Sequence, residues 1–213
     1  MTELAFVVIF LSVIALLVVP QYLNARAKAS RISCAGRHKQ TSLAHKVFAN
    51  GRTNPATFLG SFTMQLSTNF GGTMEWGGTG NVAVHYQNMS NELGSAKILI
   101  CPDDRSRIMR SDFRMPISNS NVSYAIGLDA DETQPNMILV SDNHMTSSLP
   151  RKGAIIELSA SKSVAWSKKL HGGAGNIALA DGSVQQVTST GLWMQVTTAL
   201  TSAPTNRHRL EFP

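Results

Sequence analysis

The stretch Leu4 to Ala25 constrains this chain more than any other: 22 residues without a formal charge, rich in Val, Leu, Ile and Phe. At about 1.5 Å per residue it makes a helix of roughly 33 Å, matched to a hydrocarbon layer of about 30 Å, so it can cross a bilayer once. A cleaved secretory signal needs a basic stretch before the apolar run and a small-residue cleavage site after it. Met1-Thr2-Glu3 and Gln21-Tyr22-Leu23-Asn24 supply neither. Without the run, what remains is a polar domain of ordinary composition. A length of 213 residues, 43% apolar and 15% charged, suits one core plus an appendage.

The net charge of +6 and pI near 9.6 suggest acidic partners. Much of the excess is local, because Arg26, Lys28, Arg31, Arg37, Lys39 and Lys46 all follow the apolar run. Beside lipid, such a collar contacts headgroups or snorkels more often than it binds nucleic acid, a partner that charge alone does not support. An outward collar also runs against the positive-inside bias, which a basic leader upstream would restore.

Within the helix, a carboxylate at Glu3 heads an apolar segment and needs a partner or a place in the headgroup zone. Pro20 removes one backbone hydrogen bond and crowds the carbonyl of Leu16, so a kink or a meltable stretch is expected there. Beyond it, Asn24 to Cys34 is alanine-rich and free of proline. The helix should therefore resume and run to about Phe48, with Asn50-Gly51 as its stop. Cys34 and Cys101 are an even pair in a chain whose bulk lies outside the cytoplasm, which reads as a disulfide worth about 4 kcal/mol in the chain-entropy picture. Two buried free thiols are the alternative. Two cysteines and six dispersed histidines give no zinc-ligand spacing.

Thr2-Glu3-Leu4, the apolar stretch, Pro20 placed 17 residues after Glu3, then Ala25-Arg-Ala-Lys-Ala29, Arg31-Ile-Ser-Cys34 and Lys39-Gln40 resemble the mature N-terminus of type IV pilins and type II secretion pseudopilins. The resemblance implies a short basic leader cut by a prepilin peptidase, methylation of the new N-terminus, and a pool in the inner membrane. Assembly machinery then draws subunits into a helical homo-oligomeric filament. Glu3 corresponds to the acid that neutralises a neighbour's terminal amine in such families, a pairing that a charge in an apolar core requires. The family's acid lies two residues deeper, which implies a mature chain beginning about two residues upstream of Met1.

The head yields an expectation for each segment. A short helix is expected around Pro55 to Leu66, a helix over Val82 to Leu93, and a buried strand at Lys97 to Cys101 stopped by Pro102. Further strands are expected at Val122 to Gly127, Asn136 to Ser141, Gly153 to Leu158 and Val164 to Trp166. Asn176–Ala180 and Ser183–Val187 flank Asp181-Gly182, a strong hairpin signal. Leu192, Trp193, Val196, Ala199 and Leu200 repeat at helical spacing, and the tail from Thr201 reads as an irregular strap. The expected fold class is α+β and pilin-like: residues 1–50 a helix (about 1–25 membrane or filament core, 26–50 basic), residues 51–213 an antiparallel head. Met89-Ser-Asn-Glu-Leu93, Ile100-Cys-Pro-Asp103, Val122–Gly127 and Gly175–Val184 also resemble blocks of a prepilin-type group. His171, nine intervening residues, then Asp181-Gly182 match that group's signature.

Catalysis is disfavoured. His171 and Asp181 could be drawn as a pair, but there is no Gly-x-Ser-x-Gly elbow and neither cysteine sits in a reactive motif. Asp129, Asp131 and Glu132 offer hard oxygen ligands for calcium but lack the spacing of a recognisable loop, so no cofactor or metal is expected. The glycine-rich run from Gly71 to Gly80 contains no phosphate cradle. The expected function is that of a structural subunit of an extracellular, type IV pilus-like filament. A periplasmic pseudopilin of a type II secretion system is the nearest alternative, and a monomeric membrane-anchored binding module a more distant one.

Overall fold

A computed structural model describes residues 2–52, 61–147, 155–161, 163–202 and 207–213, with side chains from residue 7 onward. Helix α1, Thr2–Gly51, is 50 residues long and passes through Pro20 without a break in the helix. Its length is about 75 Å at the helical rise, far more than one membrane or one domain needs.

The head is built on a six-stranded antiparallel sheet in the order β4-β8-β1-β2-β6-β7, formed by β1 (Tyr124–Gly127), β2 (Ile138–Asp142), β4 (Ile155–Leu158), β6 (Ala174–Leu179), β7 (Val184–Thr188) and β8 (His208–Glu211). A separate ribbon pairs β3 (Met145–Ser147) with β5 (Val164–Trp166). Two short helices follow one another, α2 (Val82–Asn88) against α3 (Ser90–Leu93) and α3 against α1, and α4 (Ser189–Ser202) closes the opposite side.

The period-two alternation of strand side chains sorts the core into two layers. Tyr124, Ile126, Leu139, Ala178 and Ala180 face α1 with Cys34, Ala44 and Phe48, while Ala125, Ile138, Ile177 and Leu179 face the other way. There they meet Trp166, Leu192, Val196 and Leu200. The small residues Ala178 and Ala180 leave room for α1 to lie close on β6. The result is the α+β arrangement expected from the sequence: a long helix against an antiparallel sheet, with a second helix behind.

Most expected strands appear within two residues, β5 spans Val164–Trp166 as read, and Asp181-Gly182 makes the β6–β7 turn. Gly182 adopts φ 86 and the Asp181 carboxylate accepts from Ser183 N at 2.7 Å, which is why those two residue types are needed. Two expectations fail and a third holds with one break. Lys97–Cys101 is not a strand but follows from a 3-10 turn at Ala96–Leu99, set by Ser95, whose hydroxyl accepts from Lys97 N. Val82–Leu93 is two helices, because the chain leaves helical geometry at Met89. The tail past residue 206 is not a strap: β8 lies inside the sheet, between β4 and β1. Of the short helix expected at Pro55 to Leu66, residues 55–60 lie outside the described residues, and Thr63–Gln65 forms a 3-10 turn.

Candidate functional site: a two-sided helix and its polar junction

Helix α1 has two environments. Residues 7–29 are exposed throughout, including Phe10 at 66% and Leu16 at 75%. This part is long and apolar enough to cross a membrane. Further on, Cys34, His38, Thr41, His45 and Phe48 recur at steps of four and three, so they form one stripe, and all are buried in the head. The stripe is mostly polar, so each residue needs a partner from the head.

Those partners gather at the upper end of the stripe. His38 Nε2 lies 2.9 Å from Asp142 Oδ1, and Asn176 donates to Asp142 Oδ2 through its backbone N at 2.7 Å and its side chain at 3.1 Å. Cys34 Sγ lies 3.4 Å from Asp142 Oδ1 and 3.7 Å from the Tyr124 hydroxyl. Cys101 Sγ lies 3.4 Å from His171 Nε2, and His171 Nδ1 lies 3.1 Å from Asp103 Oδ2. Burial pushes the Asp142 carboxyl up, yet His38 beside it and the Asn176 amide outweigh burial and hold it below the ordinary carboxylate range. The Cys34 hydrogen bond pulls the Cys101 thiol down, and burial with the same contact pushes Cys34 up. Burial lowers His171, but Cys101, Asp142 and Asp103 around it raise it above its usual value.

Cys34 and Cys101 thus come together, as the sequence suggested, but as two free thiols and not as a disulfide. Each sulfur faces its own polar partners, Asp142 and Tyr124 for one and His171 for the other. His171 is presented by a turn in which it, Gly172 and Gly173 take φ of 53, 66 and 88 in succession. A non-glycine residue held in the left-handed region is uncommon, and here the backbone turns the imidazole inward.

The His171 to Asp181-Gly182 spacing acquires a structural meaning. Arg31 donates to the His171 carbonyl, and Lys39 Nζ donates to the Gly182 carbonyl at 2.7 Å. Strand β6 lies between these points and along α1, about 20 Å from end to end. The nine intervening residues therefore measure one strand laid across the helix, with a fastening at each end. That geometry separates His171 from Asp181 and removes the catalytic pair that could be drawn from sequence. The run Cys101, His171, Asp103 has the order of a nucleophile relay, but Cys101 is 1% exposed and backed by Cys34, so a substrate has no approach.

Arg37 also donates to the carbonyls of Lys97 and Ile100. Arg31, Arg37 and Lys39 of the basic collar are therefore helix-to-head fastenings. The acids expected as calcium candidates are not assembled: Arg209 holds Asp129 through both carboxylate oxygens, and Asp131 Oδ1 accepts from Thr133 N and Oγ1. Glu132 joins no three-ligand cluster among the described residues. Glu3 lies in α1, and its side chain is outside the described residues. Compared with family models, with curated proteins and with solved structures, the chain finds no match.

Proposed function

We propose that this chain is a structural subunit of a pilin-like filament, held in the inner membrane by the apolar half of α1 and assembled outside the cell by bundling those halves. The observation that carries the reading is one helix with two environments: residues 7–29 exposed, and apolar as far as Ala25, residues 34–49 built into the head core with no linker between. A simple anchor needs only the first half and tolerates a flexible join. A rigid continuation into the core fixes the angle between head and rod, which a helical lattice requires of every subunit. The resemblance of Glu3, Pro20 and the basic alanine-rich segment to prepilin-type proteins supports the same reading.

The decisive experiment is electron microscopy of surface fibres from cells producing the chain, followed by helical reconstruction. The expected result is central density made of bundled N-terminal helices with heads outside. A population that stays monomeric in detergent, and forms no polymer when concentrated with its assembly machinery, would overturn it in favour of a membrane-anchored module. Short periplasmic polymers without surface fibres would assign the subunit to a secretion pseudopilus instead.

A further inference from the structure

The junction cluster has more donors than a helix fastening needs. Cys34 Sγ, Cys101 Sγ and His171 Nε2 all lie within 4.8 Å of one another, and Cys34, His38 and Asp142 form a second such group sharing the Cys34 sulfur. We infer that Cys34, Cys101, His171 and Asp142 form a structural transition-metal site, selective for zinc, that locks the helix to the head.

The distances carry the inference. With metal–sulfur bonds of about 2.3 Å and metal–nitrogen or metal–oxygen bonds of about 2.0–2.1 Å, a tetrahedron has sulfur-to-nitrogen or sulfur-to-oxygen edges of about 3.6 Å and a nitrogen-to-oxygen edge of about 3.4 Å. The corresponding separations are 3.4 Å for Cys101 to His171, 3.4 Å for Cys34 to Asp142 and 3.8 Å for His171 to Asp142. Three of the six edges are thus matched to within about 0.4 Å, with Asp142 presenting Oδ1 to Cys34 and Oδ2 to His171, so its carboxylate must turn to bring one oxygen to both. Binding needs the loss of two thiol protons to solvent and small side-chain adjustments.

The surroundings are those of a metal site. His171 Nδ1 lies 3.1 Å from Asp103 Oδ2, an ion-pair contact off the line of a hydrogen bond, and a small turn of that carboxylate would complete the carboxylate–histidine–metal arrangement that fixes the ligating nitrogen. Ser30 Oγ donates to that same carboxylate at 2.5 Å. Asp142 is oriented by His38 on one oxygen and by two Asn176 donors on the other. All four ligands are at least nine-tenths buried, which fits a closed structural site and not an open catalytic one. Two thiolates with imidazole favour zinc over the hard cations. The ligands come from α1, the turn after residue 99, the end of β2 and the loop before β6, so one ion would cross-link four separate parts of the chain.

The test uses the full chain purified in detergent without a metal-affinity tag. Elemental analysis should find about one zinc per chain, and cobalt exchanged into the site should give thiolate charge-transfer and intense tetrahedral visible bands. Cys34→Ser and Cys101→Ser should each abolish stoichiometric metal, while Asp103→Asn should weaken affinity about 10–100-fold without removing a ligand. Should the cysteine variants fail to fold, the wild-type chain still decides: a strong chelator should lower its melting temperature and added zinc should restore it. A zinc-free chain whose unreduced mass shows Cys34 joined to Cys101, or a chelator-insensitive melt, overturns the inference. Neither outcome bears on filament assembly, which does not depend on what fastens the junction.

Discussion

Residues 7–29 and residues 34–49 belong to the same helix, yet they solve opposite problems. The first segment is apolar as far as Ala25, ends in Arg26 and Lys28, and lies exposed along its length. The second buries a stripe in which Cys34 and His38 meet Asp142 of the head, Thr41 donates back to the Arg37 carbonyl of its own helix, and His45 packs its ring against Phe62 and Tyr86. Composition would have assigned burial the other way round. The comparison teaches that burial in the head is specified by individual partners, whereas the apolar half carries only a general demand to leave water, which a bilayer or neighbouring helices can both meet.

The largest expected effect that would break this comparison comes from exchanging one aromatic in each half. Phe48→Ala, at a site 1% exposed, should destabilise the head by about 3–5 kcal/mol in thermal or denaturant unfolding. Phe10→Ala should leave head unfolding unchanged and act only on polymer yield. Equal effects of the two changes on head stability would show that the halves are not independent. Next, Glu3→Ala should cripple filament formation, seen in micrographs, while the detergent-solubilised head melts as before. Normal filaments in that variant would remove the amine-pairing role.

Acid sharpens the contrast, since the titrating groups that matter lie in or near the buried half. Burial, with His85 nearby, drops His45 to about 3, and burial drops His208 to about 4 despite Asp129. Both stay neutral in the folded chain, whereas an unfolded chain takes up these protons below about pH 6.5. Stability should therefore fall as pH drops from about 6.5 towards 4, by up to about 1.4 kcal/mol per pH unit for each group. His45→Leu should flatten the melting-temperature profile over that range. A profile unchanged by the substitution would point to other groups. The smallest effect is expected at a fastening: Lys39→Met, which loses the bond to the Gly182 carbonyl, should cost about 0.5–1.5 kcal/mol in unfolding.

How far the sequence could be read depended on whether the relevant signal was local. The apolar run, the Asp181-Gly182 turn and the periodic Leu192 to Leu200 segment are local patterns, and each gave its element. Lys97–Cys101 misled because Ile98, Leu99 and Ile100 mimic a buried strand, while the backbone follows Ser95 and gives carbonyls to Arg37, a residue 60 positions away. Strand β8 was invisible for a related reason. His208-Arg-Leu-Glu211 looks too polar for the interior, but His208 accepts from Ile138 N, Arg209 pairs with Asp129, and Glu211 meets His85 at 3.2 Å. Of the junction cluster, the sequence brought Cys34 to Cys101 and marked His171, but His38, Asp142 and Asn176 had no spacing to tie them to the others, being spread over more than 130 residues.

The position of β8 sets the order in which the head can be completed. Its four residues bridge β4 on one side and β1 on the other, so the sheet remains in two pieces until residue 211 is available. The helix, by contrast, precedes every element of the head in the chain. While the head is incomplete, its Ala44, His45 and Phe48 face has no finished surface to rest on. In the filament proposed above, only a chain completed to the end of β8 would present a rigid head to its neighbours.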